Sequence, residues 1–153
     1  MYQKQYLQIP EKAVQKLLVN NMRRQGYQVV EQCLDDPTEF DDIMECATSS
    51  IHGIDVVGQK GKVLWIIEVK GQPKGGLHLA RQGCEAIFMA GIAQIMTRMT
   101  RMSPDIHYGL AIPNTSMFAP AIIKFIRLPI MRLLNLSIIL VEEDGSVELV
   151  GSS

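Results

Sequence analysis

Cysteine is scarce in this chain of 153 residues: Cys33, Cys46 and Cys84 lie far apart, with no CxxC pair and no Cys/His cluster. An odd number at such spacings argues against a disulfide framework and against a zinc site, and it fits a reducing compartment. The three histidines, His52, His78 and His107, show no metal-ligand spacing either. A Walker loop, a GxGxxG turn and a Ser-His-Asp order are all missing, which removes the usual signatures of nucleotide binding and serine hydrolysis. No apolar run is clean enough to span a membrane. The best candidate, PAIIKFIRLPIMRLLNLSIILV, is interrupted by Lys124, Arg127, Pro129, Arg132 and Asn135, and reads as a buried helix followed by a buried strand. The opening MYQKQYLQIPEK lacks the apolar core of a secretion signal. A cytoplasmic setting without a membrane partner is therefore expected.

Net charge is nearly absent as well, at −1, which by itself does not point to nucleic acid. Its distribution is uneven. Residues 31–55 hold eight acids and no Lys or Arg, whereas residues 56–132 hold ten Lys or Arg against three acids. A polarised chain of this kind can carry a basic face at neutral overall charge, unless folding intermixes the charges.

Hydrophobic residues make up 47% and charged residues 20%, so a folded domain rather than a disordered chain is expected. With no repeat and no linker, residues 1–153 read as a single domain. Apolar spacing at Ala13, Val14, Leu17 and Leu18 predicts a helix over 10–25, started by Pro10 and ended by Gly26. YQVVEQCL (27–34) reads as a strand, and residues 35–50, with Asp36-Pro37 and many acids, as a loop. Strands follow at 53–58 and 62–70. The Gly-rich GQPKGG loop (71–76) leads into a long helix over 77–102, whose stripe runs from Ala80 through Phe88 and Ile95 to Met102. IHYGLAIP (106–113) is a strand. A helix over 116–134, broken near Pro129, and a hairpin over 136–150 around Asp144-Gly145 complete the chain. The expected fold is α/β, a central mixed sheet flanked by helices.

One stretch stands out: GIDVVGQKGKVLWIIEVKG, residues 53–71, in which Asp55, Glu68 and Lys70 interrupt apolar strands. Side chains alternate along a strand, so Glu68 and Lys70 share a face with Leu64 and Ile66. With Lys60-Gly61 as a two-residue turn, Asp55 pairs with Ile66 and lies diagonal to Glu68 on the same face. Two carboxylates alone repel, and buried charge without a partner is costly. A hard divalent cation such as magnesium, which prefers oxygen ligands, would resolve the repulsion, leaving Lys70 to orient a water or offset charge. A salt bridge between Lys70 and one acid is the simpler alternative.

Asp55 followed, after twelve residues, by Glu68-Val69-Lys70, on consecutive strands behind a helix and a strand, resembles the PD-(D/E)xK nuclease superfamily. That superfamily includes restriction endonucleases and archaeal Holliday-junction resolvases. The resemblance covers about residues 10 to 113, with Ile54 where the name has proline. It implies a restriction-endonuclease-like αβββαβ core, to which this chain adds a C-terminal helix and hairpin. It also implies Mg2+, or Mn2+, bound by Asp55, Glu68 and the Val69 backbone carbonyl, with Lys70 assisting the attacking water. Glu11, on the first helix, matches a glutamate that reaches the metal in several members. Gln82, on the helix after the Glu-x-Lys strand, matches a site glutamine of some branches.

The resulting expectation is a metal-dependent endonuclease acting on DNA, including branched or structured DNA. It would work as a homodimer or as a subunit of a larger complex, with phosphate contacts from the basic stretch 60–132. The rivals are a non-catalytic nucleic-acid-binding or regulatory module with the same fold, and a structural subunit in which Glu68–Lys70 is only a salt bridge.

Overall fold

The computed structural model describes residues 9–33, 53–72 and 77–151, with residues 77–82 described as helix backbone only. The elements are α1 (Glu11–Arg24), β1 (Gln28–Cys33), β2 (Ile54–Lys60), β3 (Val63–Val69), α2 (Leu77–Thr97), β4 (Ile106–Pro113), α3 (Ala119–Ile126), α4 (Pro129–Leu133), β5 (Leu136–Val141) and β6 (Val147–Gly151). The six strands form one sheet in sequence order. Pairing is antiparallel between β1, β2 and β3, parallel from β3 to β4 and β4 to β5, and antiparallel again for β5 and β6. The parallel steps carry the helices, because a parallel return needs a long crossover. The order through β4 is αβββαβ, and the sheet is mixed and flanked by helices, as the sequence led one to expect.

Alternation along the strands divides the core in two. On one face Val56, Trp65, Ile67 and Val69 pack against Val14, Leu18 and Met22 of α1. On the other, Val57, Leu64 and Ile66 pack against Cys84, Phe88, Ile92 and Ile95 of α2, joined by Phe118, Ala121 and Met131 from the α3–α4 region. Among the described residues helix α1 thus covers its face alone, and three helices share the other.

Three elements differ from the sequence reading. The β2–β3 turn uses Gly61-Lys62, not Lys60-Gly61, since Lys60 pairs with Val63 and Val57 with Ile66. Gly61 takes φ +59°, and Lys62 is not among the positive-φ residues, so the glycine occupies the first central position as a II′ turn requires. The register therefore moves by two residues, which keeps every side chain on its expected face. One step beyond the Val56–Ile67 pair, it sets Asp55 directly across from Glu68 rather than diagonal to it. The long helix ends at Thr97, five residues early. Here the Thr97 hydroxyl bonds back to the Gln94 carbonyl at 2.6 Å, and the Tyr108 hydroxyl of β4 holds the Arg101 carbonyl at 2.6 Å. The helix at 116–134 is two helices, because Leu128 is extended (φ −76°, ψ 127°) ahead of Pro129 at the start of α4.

Candidate active site at the end of the central strands

The polar corner is assembled where β2 begins and β3 ends. Asp55 and Glu68 lie on the α2 face of neighbouring strands, and Asp55 is close enough to raise the pKa of Glu68. Asp55 is held from both sides. Its Oδ2 accepts the Val69 backbone N–H at 2.8 Å, and its Oδ1 accepts the Gln32 side-chain amide at 3.3 Å. Gln32 sits across from Asp55 on β1 and has φ +55°, a conformation uncommon for a residue other than glycine within a strand.

Glu68 is buried, 3% exposed. Burial and the adjacent Asp55 raise its pKa to about 8, while Arg98 acts in the opposite direction. Arg98 Nε lies 3.4 Å from Glu68 Oε1. Near neutral pH the Glu68 carboxyl therefore tends to keep its proton, as a buried acid beside another acid does.

Lys70 follows on the same side. Its backbone N–H bonds to the Ala111 carbonyl at 2.9 Å, continuing the β3–β4 ladder past the strand end. Helix α2 comes close here because residue 91 is glycine. A Cβ at Gly91 would lie 2.5 Å from Leu110 Cδ1 and 3.3 Å from Lys70 Cγ. Among the described residues Lys70 forms no ion pair with Asp55 or Glu68; the cation on Glu68 is Arg98.

Glu11 arrives from α1 by a second close approach. The Gln72 N–H bonds to the Ile9 carbonyl at 2.9 Å, and a Cβ at Gly71 would lie 2.2 Å from the Glu11 nitrogen. Only glycine lets the end of β3 run under the first turn of α1. Partial burial and repulsion from Asp55 raise the Glu11 pKa, with Lys70 partly offsetting them. The structure thus brings Asp55, Glu68, Lys70 and Glu11 to one end of the sheet. Val69 lies in the same segment, with its side chain fully buried against the α1 face. Gln82 lies on α2, and its side chain is outside the described residues.

The donors suit a hard cation in kind. Asp55 and Glu68 supply only oxygen, and their mutual repulsion is what a divalent ion relieves. In number they supply two carboxylates. Among the described residues no group of three or more His, Cys, Asp or Glu is placed to hold a metal ion, so Glu11 stands at the edge. Two carboxylates are the share that magnesium takes from protein when water and substrate phosphate fill its remaining positions.

Sequence reasoning missed Arg98, Gln32 and Gln72. The last is buried, and its Oε1 has no hydrogen-bond partner among the described residues. It also placed the phosphate contacts in residues 60–132. Within that stretch Lys60 donates to the Gln25 carbonyl, Arg98 pairs with Glu68 and Lys124 pairs with Glu85. Further cations near the site, beside Lys70 and Arg98, come from α1, where Lys12, Lys16 and Arg23 line a cleft that reaches Asp55. No described helix is long and apolar enough to cross a membrane.

No family model and no curated protein matches the chain. Two solved structures are similar to it. One is an XisH family protein from Nostoc punctiforme PCC 73102, with a TM-score of 0.48 and 12% identity over 90% of this chain and 98% of that one. The other is an fdxN element excision controlling factor protein from Anabaena variabilis, with a TM-score of 0.48 and 16% identity over 88% and 95%. At this level of similarity neither bears on what the site does.

Proposed function

We propose that this protein is a divalent-metal-dependent nuclease of the PD-(D/E)xK type, hydrolysing DNA phosphodiester bonds. The observation that carries the reading is the meeting of the Asp55 and Glu68 carboxyl groups on one sheet face, with Lys70 two residues beyond. A salt bridge for stability would pair Lys70 with an acid, and Lys70 is not so paired among the described residues.

In this reading Asp55, Glu68 and the Val69 carbonyl hold Mg2+ or Mn2+, with Glu11 reaching toward it. The ion would supply Lewis-acid stabilisation of the phosphoryl group. The chain's own residues do the rest. The Val69 N–H and the Gln32 amide fix the direction of Asp55. Lys70 orients the attacking water and offsets charge that builds on the phosphate oxygens. Gln82 is assigned to the same site from its position at the start of α2. Assembly as a homodimer or within a larger complex belongs to the proposal. Exposed Ile123, Leu128, Ile130 and Leu133 on the α3–α4 side supply an apolar surface for it.

The Arg98–Glu68 pair favours a second reading, a nucleic-acid-binding module that does not cut, in which the arginine takes the place of a cation. Plasmid nicking separates the two. Wild type with Mg2+ nicks under the first reading, EDTA abolishes it, and Glu68→Ala and Lys70→Ala are inactive. No nicking by any form supports the second. Equal nicking by wild type and both variants means a contaminant.

A further inference from the structure

The outward face of α1 has a pattern that the proposed chemistry does not use. Val14, Leu18, Val19 and Met22 face the sheet. Lys12, Lys16, Asn20 and Arg23 follow one another up the opposite side at helical spacings of four, four and three. They form a straight stripe about 16 Å long at 1.5 Å per residue. This stripe is one wall of a cleft of about 680 Å³. The opposite wall comes from the β1–β2 edge, with Glu31 and Gln32, and the cleft ends on Asp55. The helix wall carries Lys12, Lys16 and Arg23 with Glu11 at its first turn, and the strand wall carries Glu31 and Asp55. Glu31 is engaged at 3.0 Å by Gln15. None of Lys12, Lys16 and Arg23 forms an ion pair among the described residues.

We infer that this cleft is a track for a single nucleic-acid strand, whose phosphates follow Lys12, Lys16 and Arg23 and whose path leads to Asp55. Polyanion chemistry is selected by the row of cations at successive turns, none of them ion-paired among the described residues, because each neutralised phosphate releases counterions. The cleft falls in the volume range that holds a drug-sized ligand, which is the size of a short stretch of one strand. Among the described residues no aromatic side chain lines it, so the affinity read here rests on phosphate contacts that salt weakens. The inference deepens the nuclease reading by naming the strand form the site receives, and it rests on that reading for its purpose.

The test is fluorescence anisotropy with a labelled single-stranded DNA oligonucleotide and the matching duplex, in EDTA, over a salt series. EDTA removes cleavage, so failure here leaves the nicking result standing, and failure of nicking leaves the track standing. Variants are Lys12→Gln, Lys16→Gln and Arg23→Gln, singly and together, with Arg132→Gln on α4 as a cation outside the cleft. Circular dichroism checks that each is folded. Wild type is expected to bind the single strand more tightly than the duplex. Each cleft variant should weaken single-strand binding uniformly and flatten the slope of log affinity against log salt by about one, with Arg132→Gln unchanged. Absence of wild-type binding, tighter binding of the duplex, or equal losses from cleft and control variants would overturn the assignment.

Discussion

Two lysine- or arginine-to-glutamate pairs occur among the described residues, and they are built for different purposes. Lys124 and Glu85 meet at 3.0 Å between α3 and α2, with side chains 71% and 46% exposed. Arg98 and Glu68 meet at a longer 3.4 Å, with the glutamate side chain 4% exposed. Water screens the first pair, and such contacts contribute about 0–1 kcal/mol. The second is removed from water, and its glutamate also faces Asp55, so one half-exposed arginine serves a site with two acids. A pair placed for stability would not add a second carboxylate to the same buried corner. Removing such a group and its partner together is often neutral or stabilising. The difference between the two pairs is that the second leaves two acids in a buried corner with one arginine, as a binding site for a further cation would.

The largest expected effect separates the two glutamates by chemistry. Glu68→Gln or Asp55→Asn should reduce plasmid cleavage by on the order of 100-fold or more, the scale of losing a metal ligand or its support. Glu85→Gln should leave the rate unchanged in the same assay.

Next in size is the dependence of stability on pH. The Glu68 carboxyl has a folded pKa of about 8 against an ordinary 4.5, so between these values the folded protein binds more protons than the unfolded one. Stability should therefore fall as pH rises from about 4.5 to about 8. Thermal melting in EDTA would show a lower midpoint at pH 8 than at pH 6, Glu68→Gln would flatten that fall, and Mg2+ would restore the wild-type midpoint at pH 8. A flat wild-type profile would mean that Glu68 is not held in this way.

Smaller again is Arg98→Ala. It leaves the buried acid without its cation and should lower stability in urea denaturation by about 1–3 kcal/mol at pH 8. The loss should be less at pH 6, where Glu68 keeps its proton. Smallest is Lys124→Ala, expected to change stability by less than about 1 kcal/mol in the same measurement. If Lys124→Ala matched Arg98→Ala at pH 8, the contrast between the pairs would collapse.

The sequence carried much of this and lost the rest for definable reasons. Period-two alternation placed Asp55 and Glu68 on one face, and a register error of two residues could not undo that, because two steps restore the face. The error itself came from assigning Gly61 to the second turn position when its positive φ serves the first. Met99 and Met102 continue the helical spacing of α2, so the sequence reads on as helix, while the Tyr108 hydroxyl holds the Arg101 carbonyl away from it. Arg98 was illegible because it meets Glu68 across thirty residues of chain, through a contact no local pattern encodes. The α1 cations were passed over because an exposed Lys or Arg on a helix is ordinary until a wall stands opposite it. Gln32 gave no signal, since its φ and its bond to Asp55 exist only in the folded sheet.

Cation binding to the metal-free protein tests the central claim most directly. Isothermal titration calorimetry with Mn2+ and Mg2+ on wild type, Asp55→Asn, Glu68→Gln and Glu85→Gln needs no substrate and no turnover. A shared site at Asp55 and Glu68 predicts one ion per chain in wild type and Glu85→Gln, with affinity at least about 10-fold weaker in each of the other two. No binding to wild type, or equal binding to all four proteins, would contradict it.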